Sequence, residues 1–175
     1  MLNILSIVNA GCRGLSLFLG IITLALTLAV VLTGKTFDGV TGWAINIFGM
    51  SFLFLLSLLF LFVCFSWVHM IDARYRPADR AVWTEAAEHA ANGTATLALT
   101  YTLLGISLGI SSLADQELNT DTIQTVIGGL TGHFSQAFMT TVVGLPMSAV
   151  LRALIAITEA RLRADVSIQT AKTVV

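Results

Sequence analysis

The chain has 175 residues, of which 56% are hydrophobic and only 11% are charged, and its mean hydropathy is +0.87. Soluble domains carry roughly 25% charged residues, so the composition excludes an ordinary soluble domain and predicts an integral membrane protein. A formal net charge of −1 argues against a basic surface for nucleic acid.

Four apolar segments are each long enough to cross a bilayer, which takes about 20 residues. In chain order they cover approximately residues 15–32, 48–71, 94–113 and 130–157. They contain no Asp, Glu, Lys or Arg before Arg152, which lies near the end of the fourth segment. The pattern predicts an all-α integral membrane protein, with four transmembrane helices in a single domain covering 1–175.

The first segment has one alternative, a cleaved signal peptide, because Arg13 places a positive charge directly before it. The apolar run is longer than the hydrophobic region of a usual signal peptide, and no Ala-x-Ala cleavage site precedes Lys35. The segment is therefore expected to remain as a spanning helix.

The basic residues are gathered at one set of segment ends. They are Arg13, Arg74, Arg76, Arg80, Arg152, Arg161, Arg163 and Lys172, whereas the opposite side has only Lys35. The positive-inside rule then predicts that both termini and the connection 72–93 are cytoplasmic. This connection is expected to be a loop that contains a short helix ending at Asn92-Gly93. An acidic loop with Asp115, Glu117 and Asp121 is expected outside.

The third and fourth segments differ from the first two, which are rich in Leu and Phe. In the third, Gly105 and Gly109 are four residues apart, a spacing that lets another helix approach closely. In the fourth, small and hydroxylic residues recur at helical spacing and form one stripe, made of Ala137, Thr141, Gly144 and Ser148. Helix packing explains the glycines, whereas the adjacent hydroxyls of Thr140 and Thr141 favour a lined pathway or a seam around a central partner.

None of the acidic residues falls inside an apolar segment. Transfer of protons or sodium ions through a membrane normally needs a charged or titratable group part-way across. If the protein conducts ions, that group must come from another chain; otherwise the hydroxyl stripe serves packing only. The sequence shows no nucleophile–base pair, metal-ligand spacing or phosphate-binding loop, so neither an enzyme nor a cofactor or metal site is predicted.

Two runs in the last two segments, TLLGISLGI (102–110) and IQTVIGGLTGHFSQAFMTTVVGLPMS (123–148), resemble the MotA/TolQ/ExbB proton-channel family. That family has a Gly-x-x-x-Gly-Ile run in one span, and Gly105, Gly109 and Ile110 match it. The next span of the family has an Ala-x-x-x-Thr-x-x-Gly-Leu run. Its matches here are Ala137, Thr141, Gly144 and Leu145. The GGL before the last helix and Ser148 are similar to the membrane subunit of Zorya-type phage-defence motors.

The resemblance implies a homopentamer in the bacterial inner membrane, a multi-pass ring around two copies of a single-span subunit similar to MotB, TolR or ExbD. The partner would carry the membrane Asp that binds H⁺ or Na⁺, and ion flow would drive rotation of one component within the other. The hydroxyls of the ring would then face the partner helices and the ion path.

The resemblance also implies roles for single residues. Thr141 falls on the pore threonine of the family, and Thr140 and Ser148 lie on or beside the same face. Gln136 stands where some members have a glutamate at the outer mouth, and Ser107 adjoins Ile106, the position where many members have a hydroxyl or an alanine in the other span. Gly105, Gly109 and Gly144 are expected to pack helices.

One departure concerns the connection 72–93, which is far shorter than the large cytoplasmic domain of MotA-like subunits. Contact with a flagellar rotor is therefore not expected. The alternative to an ion-driven motor is a non-conducting membrane scaffold or assembly subunit, or a small holin-like channel, in which the Ser, Thr and Gly faces only hold helices together.

Overall fold

The computed structural model describes residues 4–73, 75–114 and 123–173, and all regular elements in these ranges are α helices. The helices are α1 Ile4–Thr33, α2 Phe37–Phe48, α3 Met50–Asp72, α4 Pro77–Ala114 and α5 Ile123–Thr173. This confirms the all-α prediction. The predicted acidic loop, with Asp115, Glu117 and Asp121, lies outside the described residues.

Four helices are long and apolar enough to cross a membrane. Their candidate spans are Gly11–Thr33, Met50–Asp72, Pro77–Leu113 and Ile123–Ser167. Each contains the greater part of one predicted span, because the apolar composition that disfavours water also favours a helix that satisfies its own backbone hydrogen bonds.

A short helix, α2, lies between the first two spans. Glycines in the left-handed region separate it from its neighbours, with φ of 64° at Gly34 and 77° at Gly49. The Thr36 side chain caps its start by accepting a hydrogen bond of 3.3 Å from the backbone N–H of Gly39. Trp43 of α2 is 46% exposed.

The connection 72–93 contains the predicted helix, but this helix begins at Pro77 and is continuous with the third span instead of forming a separate short helix. Pro77 stands at the first position of α4, where its missing N–H costs no helical bond. The helix continues through Asn92 and Gly93, so the predicted stop there was wrong. A Cβ added to Gly93 would lie 3.4 Å from Cδ2 of Leu59 on α3. Gly93 therefore lies on the face of α4 that packs against α3.

The last two helices are much longer than a bilayer requires. α4 has 38 residues and α5 has 51. At 1.5 Å per residue they extend about 57 and 76 Å, whereas the hydrocarbon core is about 30 Å thick. The charged first part of α4 and the charged last part of α5 therefore lie outside the hydrocarbon core.

These charged parts pack on each other around a buried ion pair. Arg80 Nε on α4 lies 3.4 Å from Glu159 Oε2 on α5, and both side chains are 10% exposed. The Thr84 hydroxyl lies 3.2 Å from the same carboxylate oxygen, and Arg163 Nε donates to Glu159 Oε1 at 2.7 Å. Beside the pair lies an apolar cluster that includes Met70 and Ile155. The pair thus ties the two helix ends together.

Candidate functional site

The contact between α4 and α5 brings together most of the residues that the sequence singled out. The two helices are antiparallel, and small side chains line both sides of the contact. On α4 the buried or half-buried small residues are Ala87, Ala91, Thr94, Ala98, Thr102, Gly105 and Gly109. On α5 they are Ala137, Thr140, Thr141, Gly144 and Ser148. Such residues let helix backbones approach closely.

Three glycines mark the closest approach of the two helices. A Cβ added to Gly144 would lie 2.4 Å from Cβ of Ala98, and one added to Gly105 would lie 2.7 Å from Cβ of Ala137. At Gly109 the added atom would lie 3.0 Å from the ring of Phe134. All three predicted packing glycines therefore lie where the facing helix leaves little or no room for a side chain.

Two of the predicted ion-path hydroxyls lie inside this contact. Thr140 is 1% exposed and Ser148 is 0% exposed. The Thr140 hydroxyl donates to the carbonyl oxygen of Ala137 at 2.7 Å, and the Ser148 hydroxyl donates to that of Ala91 at 2.7 Å. Each hydroxyl proton is therefore used within the chain, and neither side chain reaches the free surface of the described structure.

Thr141 lies at the edge of the contact. It is half-buried, and its hydroxyl is hydrogen-bonded to the hydroxyl of Thr102, which is also half-buried and lies on α4. Along α5 it is flanked by Phe138 and Leu145, both exposed. The Thr102–Thr141 pair is thus a polar spot that borders an apolar surface.

The positions of the two hydroxyl protons determine what else Thr141 can bind. The Thr102 oxygen lies 2.8 Å from the carbonyl oxygen of Ala98 and 3.0 Å from that of Ala137. A hydroxyl has one proton, so Thr102 donates to one carbonyl and accepts the proton of Thr141. In that arrangement the Thr141 oxygen keeps its acceptor lone pairs, which is the capacity needed to bind a water molecule, a cation or a protonated carboxyl group.

The other two predicted path residues lie apart from this pair. Gln136 is half-buried and lines a pocket of about 100 Å³, together with Gly49, Tyr101 and His133. Its amide lies against Gly49, because a Cβ on that glycine would be 3.3 Å from Gln136 Nε2. Ser107 is exposed on a different face of α4. The structure therefore does not place Gln136 or Ser107 beside Thr141.

Ser107 belongs to a row of exposed polar residues on α4, here named the outward stripe. Its members are Asn92, Thr96, Thr100, Ser107 and Ser111, all exposed. With 3.6 residues per turn, their spacing of four, four, seven and four keeps them on one side of the helix. That side is opposite the small residues that face α5. Leu103, also exposed, completes the row between Thr100 and Ser107.

Sequence reasoning missed two features of this region. Thr102 was not a candidate, although it follows Ala98 by four residues and precedes Gly105 by three. This spacing places it in the packing row of α4. The outward stripe was missed because its polar residues are interleaved with Leu and Ile, and only the packing of α5 and α3 shows which face of α4 stays free.

These features define the class of the protein: a helical multi-pass membrane protein whose polar side chains within the spans are concentrated on its last two long helices.

No family model matches the chain, and no curated protein or solved structure matches it. The resemblance to the MotA/TolQ/ExbB family therefore depends on the quoted motif residues.

Proposed function

We propose that the chain is the ring-forming subunit of an ion-driven motor of the MotA/TolQ/ExbB type in the bacterial inner membrane, with both termini cytoplasmic. Five copies enclose two copies of a single-span partner, and the partner's membrane Asp binds H⁺ or Na⁺. The ring supplies hydroxyl groups along the path, and the partner supplies the titrating carboxylate that the apolar segments of this chain lack.

The observation that carries the proposal is the outward stripe of α4. Thr96, Thr100 and Ser107 are exposed within a candidate membrane span. Polar residues in such spans face protein or water in preference to lipid. Since neither α5 nor any other described helix covers this face, further protein is expected to cover it, and neighbouring copies in a ring fulfil that requirement.

The Thr102–Thr141 pair supplies the contact for the ion-binding group. Thr141 has acceptor capacity left and borders a free surface, so a protonated carboxyl group on a partner helix has a hydrogen-bond acceptor there. The buried Thr140 and Ser148 hold α4 and α5 in the register that presents Thr141. Ser107 belongs to the seam between copies, and Gln136 lies on α5 on the outer side of Thr141, where it lines the pocket with Gly49 and Tyr101.

A non-conducting scaffold is the second candidate function. The observation in its favour is that Thr140 and Ser148 donate to carbonyl oxygens of their own chain, as packing alone requires. In a scaffold, Thr141 and Thr102 also serve only to bond α5 to α4, and the outward stripe binds another membrane protein without any ion path.

Ion flux through the complex with the single-span partner separates the two functions. The partner is sought in the neighbouring reading frame and co-expressed. Thr141→Val keeps the shape but removes the hydroxyl, so the proposal predicts loss of flux with assembly intact. The matched control is Thr23→Val on α1, whose exposed hydroxyl bonds only its own helix, to Leu19 O at 2.8 Å. No ion flux in the unsubstituted complex would favour the scaffold, and equal flux in both variants would exclude Thr141 from the ion path.

A further inference from the structure

An apolar groove runs between α1 and α5, with α3 as its floor. It has a volume of about 710 Å³, and α1 and α5 do not touch each other among the described residues. The walls and floor include Ile22, Ala25, Leu53, Phe60, Met147 and Leu154. Ser57, Cys64 and Trp67 are the only lining residues that carry a hydroxyl, thiol or N–H group.

The groove lies within candidate spans, so its filling must be apolar. Water does not enter a cavity without polar partners. From Leu53 to Trp67 the groove extends over about 21 Å of α3 at 1.5 Å per residue. It therefore covers the full depth of one leaflet of the hydrocarbon core, which is about 15 Å. A spanning helix occupies on the order of 2,500 Å³, more than the groove holds. A lipid acyl chain fits both the length and the volume.

One end of the groove carries the features of a membrane–water interface. The indole N–H of Trp67 donates to the hydroxyl of Thr158 on α5 at 3.2 Å, and tryptophan is enriched at the level of lipid headgroups. Leu154, Thr158 and Arg161 follow at spacings of four and three, so they share one face of α5. Arg161 is exposed and lies about 4.5 Å along the axis beyond Thr158.

The charges around this end leave Arg161 suited to an anion. Glu159 is directed to Arg80 and Arg163 and not toward the groove. Asp165 lies one turn beyond Arg161, but no ion pair joins these two among the described side chains. Arg152 is exposed, yet its position in the helical repeat places it on the far side of α5 from the groove.

We propose that this groove is a binding site for an anionic phospholipid: one acyl chain fills the channel between α1 and α5, and the phosphate pairs with Arg161 below Trp67. Basic residues at the cytoplasmic ends of membrane helices bind anionic headgroups in this way. The site lies on the side of α5 away from the outward stripe of α4. It does not depend on ion conduction, so it stands whether the ring moves ions or serves as a scaffold.

The test is native mass spectrometry of the detergent-solubilised full chain, or of its complex, titrated with phosphatidylglycerol and with zwitterionic phosphatidylcholine. One basic contact at a membrane surface is worth about 1 kcal/mol, which corresponds to roughly fivefold in affinity. Arg161→Gln is therefore expected to weaken phosphatidylglycerol binding about fivefold and phosphatidylcholine binding less, because the choline cation offsets the charge of its phosphate. The matched control Arg152→Gln is expected to change neither.

A second variant tests the acyl-chain channel. Val150 lines the groove and is 58% exposed, so Val150→Trp fills space without disturbing a packed contact and is expected to reduce the binding of both lipids. Equal effects of Arg161→Gln and Arg152→Gln, or undiminished binding in Val150→Trp, would overturn the proposal. So would disulfide formation between copies through Val150→Cys in a Cys12→Ser, Cys64→Ala background, because a second copy would then occupy the groove.

Discussion

Ser148 of α5 and Ala91 of α4 are joined by a hydrogen bond of 2.7 Å from the serine hydroxyl to the alanine carbonyl oxygen. Both residues are fully buried. The bond crosses the contact where small residues let the two helices approach, so it fixes their register. This register sets the position of Thr141, which lies about two turns before Ser148 in α5.

Ser148→Ala is expected to loosen this contact. Hydrogen bonds between membrane helices are worth roughly 0.6 to 2 kcal/mol, so the free energy of unfolding should fall by about 1 kcal/mol. The measurement is the thermal unfolding of the detergent-solubilised chain. Ser135→Ala, at an exposed position on the same helix, is the control and should change little. A loss as large in Ser135→Ala would remove the special role of Ser148.

Gly144→Ala is expected to force α4 and α5 apart. The added Cβ would come within 2.4 Å of Cβ of Ala98, and overpacking of this kind costs about 1–3 kcal/mol. Gly132→Ala is the matched control, because a Cβ there meets nothing within 4 Å. Removing an exposed glycine from a helix should stabilise it by up to about 1 kcal/mol. Thermal unfolding of both variants should therefore shift in opposite directions, and a shift in the same direction would contradict the close contact.

Glu159→Gln is expected to destabilise the charged ends of α4 and α5. It removes the carboxylate that pairs with the buried side chain of Arg80, and breaking a buried pair costs about 3–5 kcal/mol. Glu85→Gln is the control: Glu85 pairs with His89 at 3.2 Å on an exposed face, where a pair is worth at most about 1 kcal/mol. Unfolding by denaturant compares the two variants, and similar losses would show that burial of the Arg80–Glu159 pair contributes nothing.

Thr100→Leu tests what covers the outward stripe. If other copies pack there, the bulkier side chain should lower the fraction of assembled ring while membrane insertion stays normal. If lipid covers it, leucine is as well suited as threonine and assembly should not change. Thr27→Leu on α1 provides the comparison: Thr27 is exposed like Thr100, and each hydroxyl donates at 2.8 Å to the carbonyl oxygen one turn earlier in its own helix, but Thr27 lies outside the outward stripe. Size-exclusion chromatography of both variants reports the assembled fraction.

The four candidate spans were predictable because composition alone decides them: an apolar run of sufficient length forms a helix wherever water is excluded. The packing glycines were predictable for a similar reason, since Gly105 and Gly109 recur at the spacing of one helix face. The close contact at Gly105 follows from that spacing, and the one at Gly144 follows from its place in the small-residue stripe of the fourth segment.

Other features depended on tertiary contacts that the sequence does not state. Asn92-Gly93 has the composition of a helix stop, but the packing of Leu59 against Gly93 and of α5 against α4 carries the helix through it. Thr140 and Thr141 are adjacent in sequence and equivalent in chemistry. Only the rotation of α5 against α4 decides that Thr140 is buried and that Thr141 reaches the edge.

In the proposed ring, further protein encloses both the outward stripe and the Thr102–Thr141 pair. Single-particle images of the purified complex with its partner test this most directly. The proposed ring has five copies, with α4 and α5 innermost, the outward stripe covered by a neighbouring copy and partner helices on the axis beside Thr141. A monomer or dimer whose Thr100 and Ser107 face lipid would contradict it.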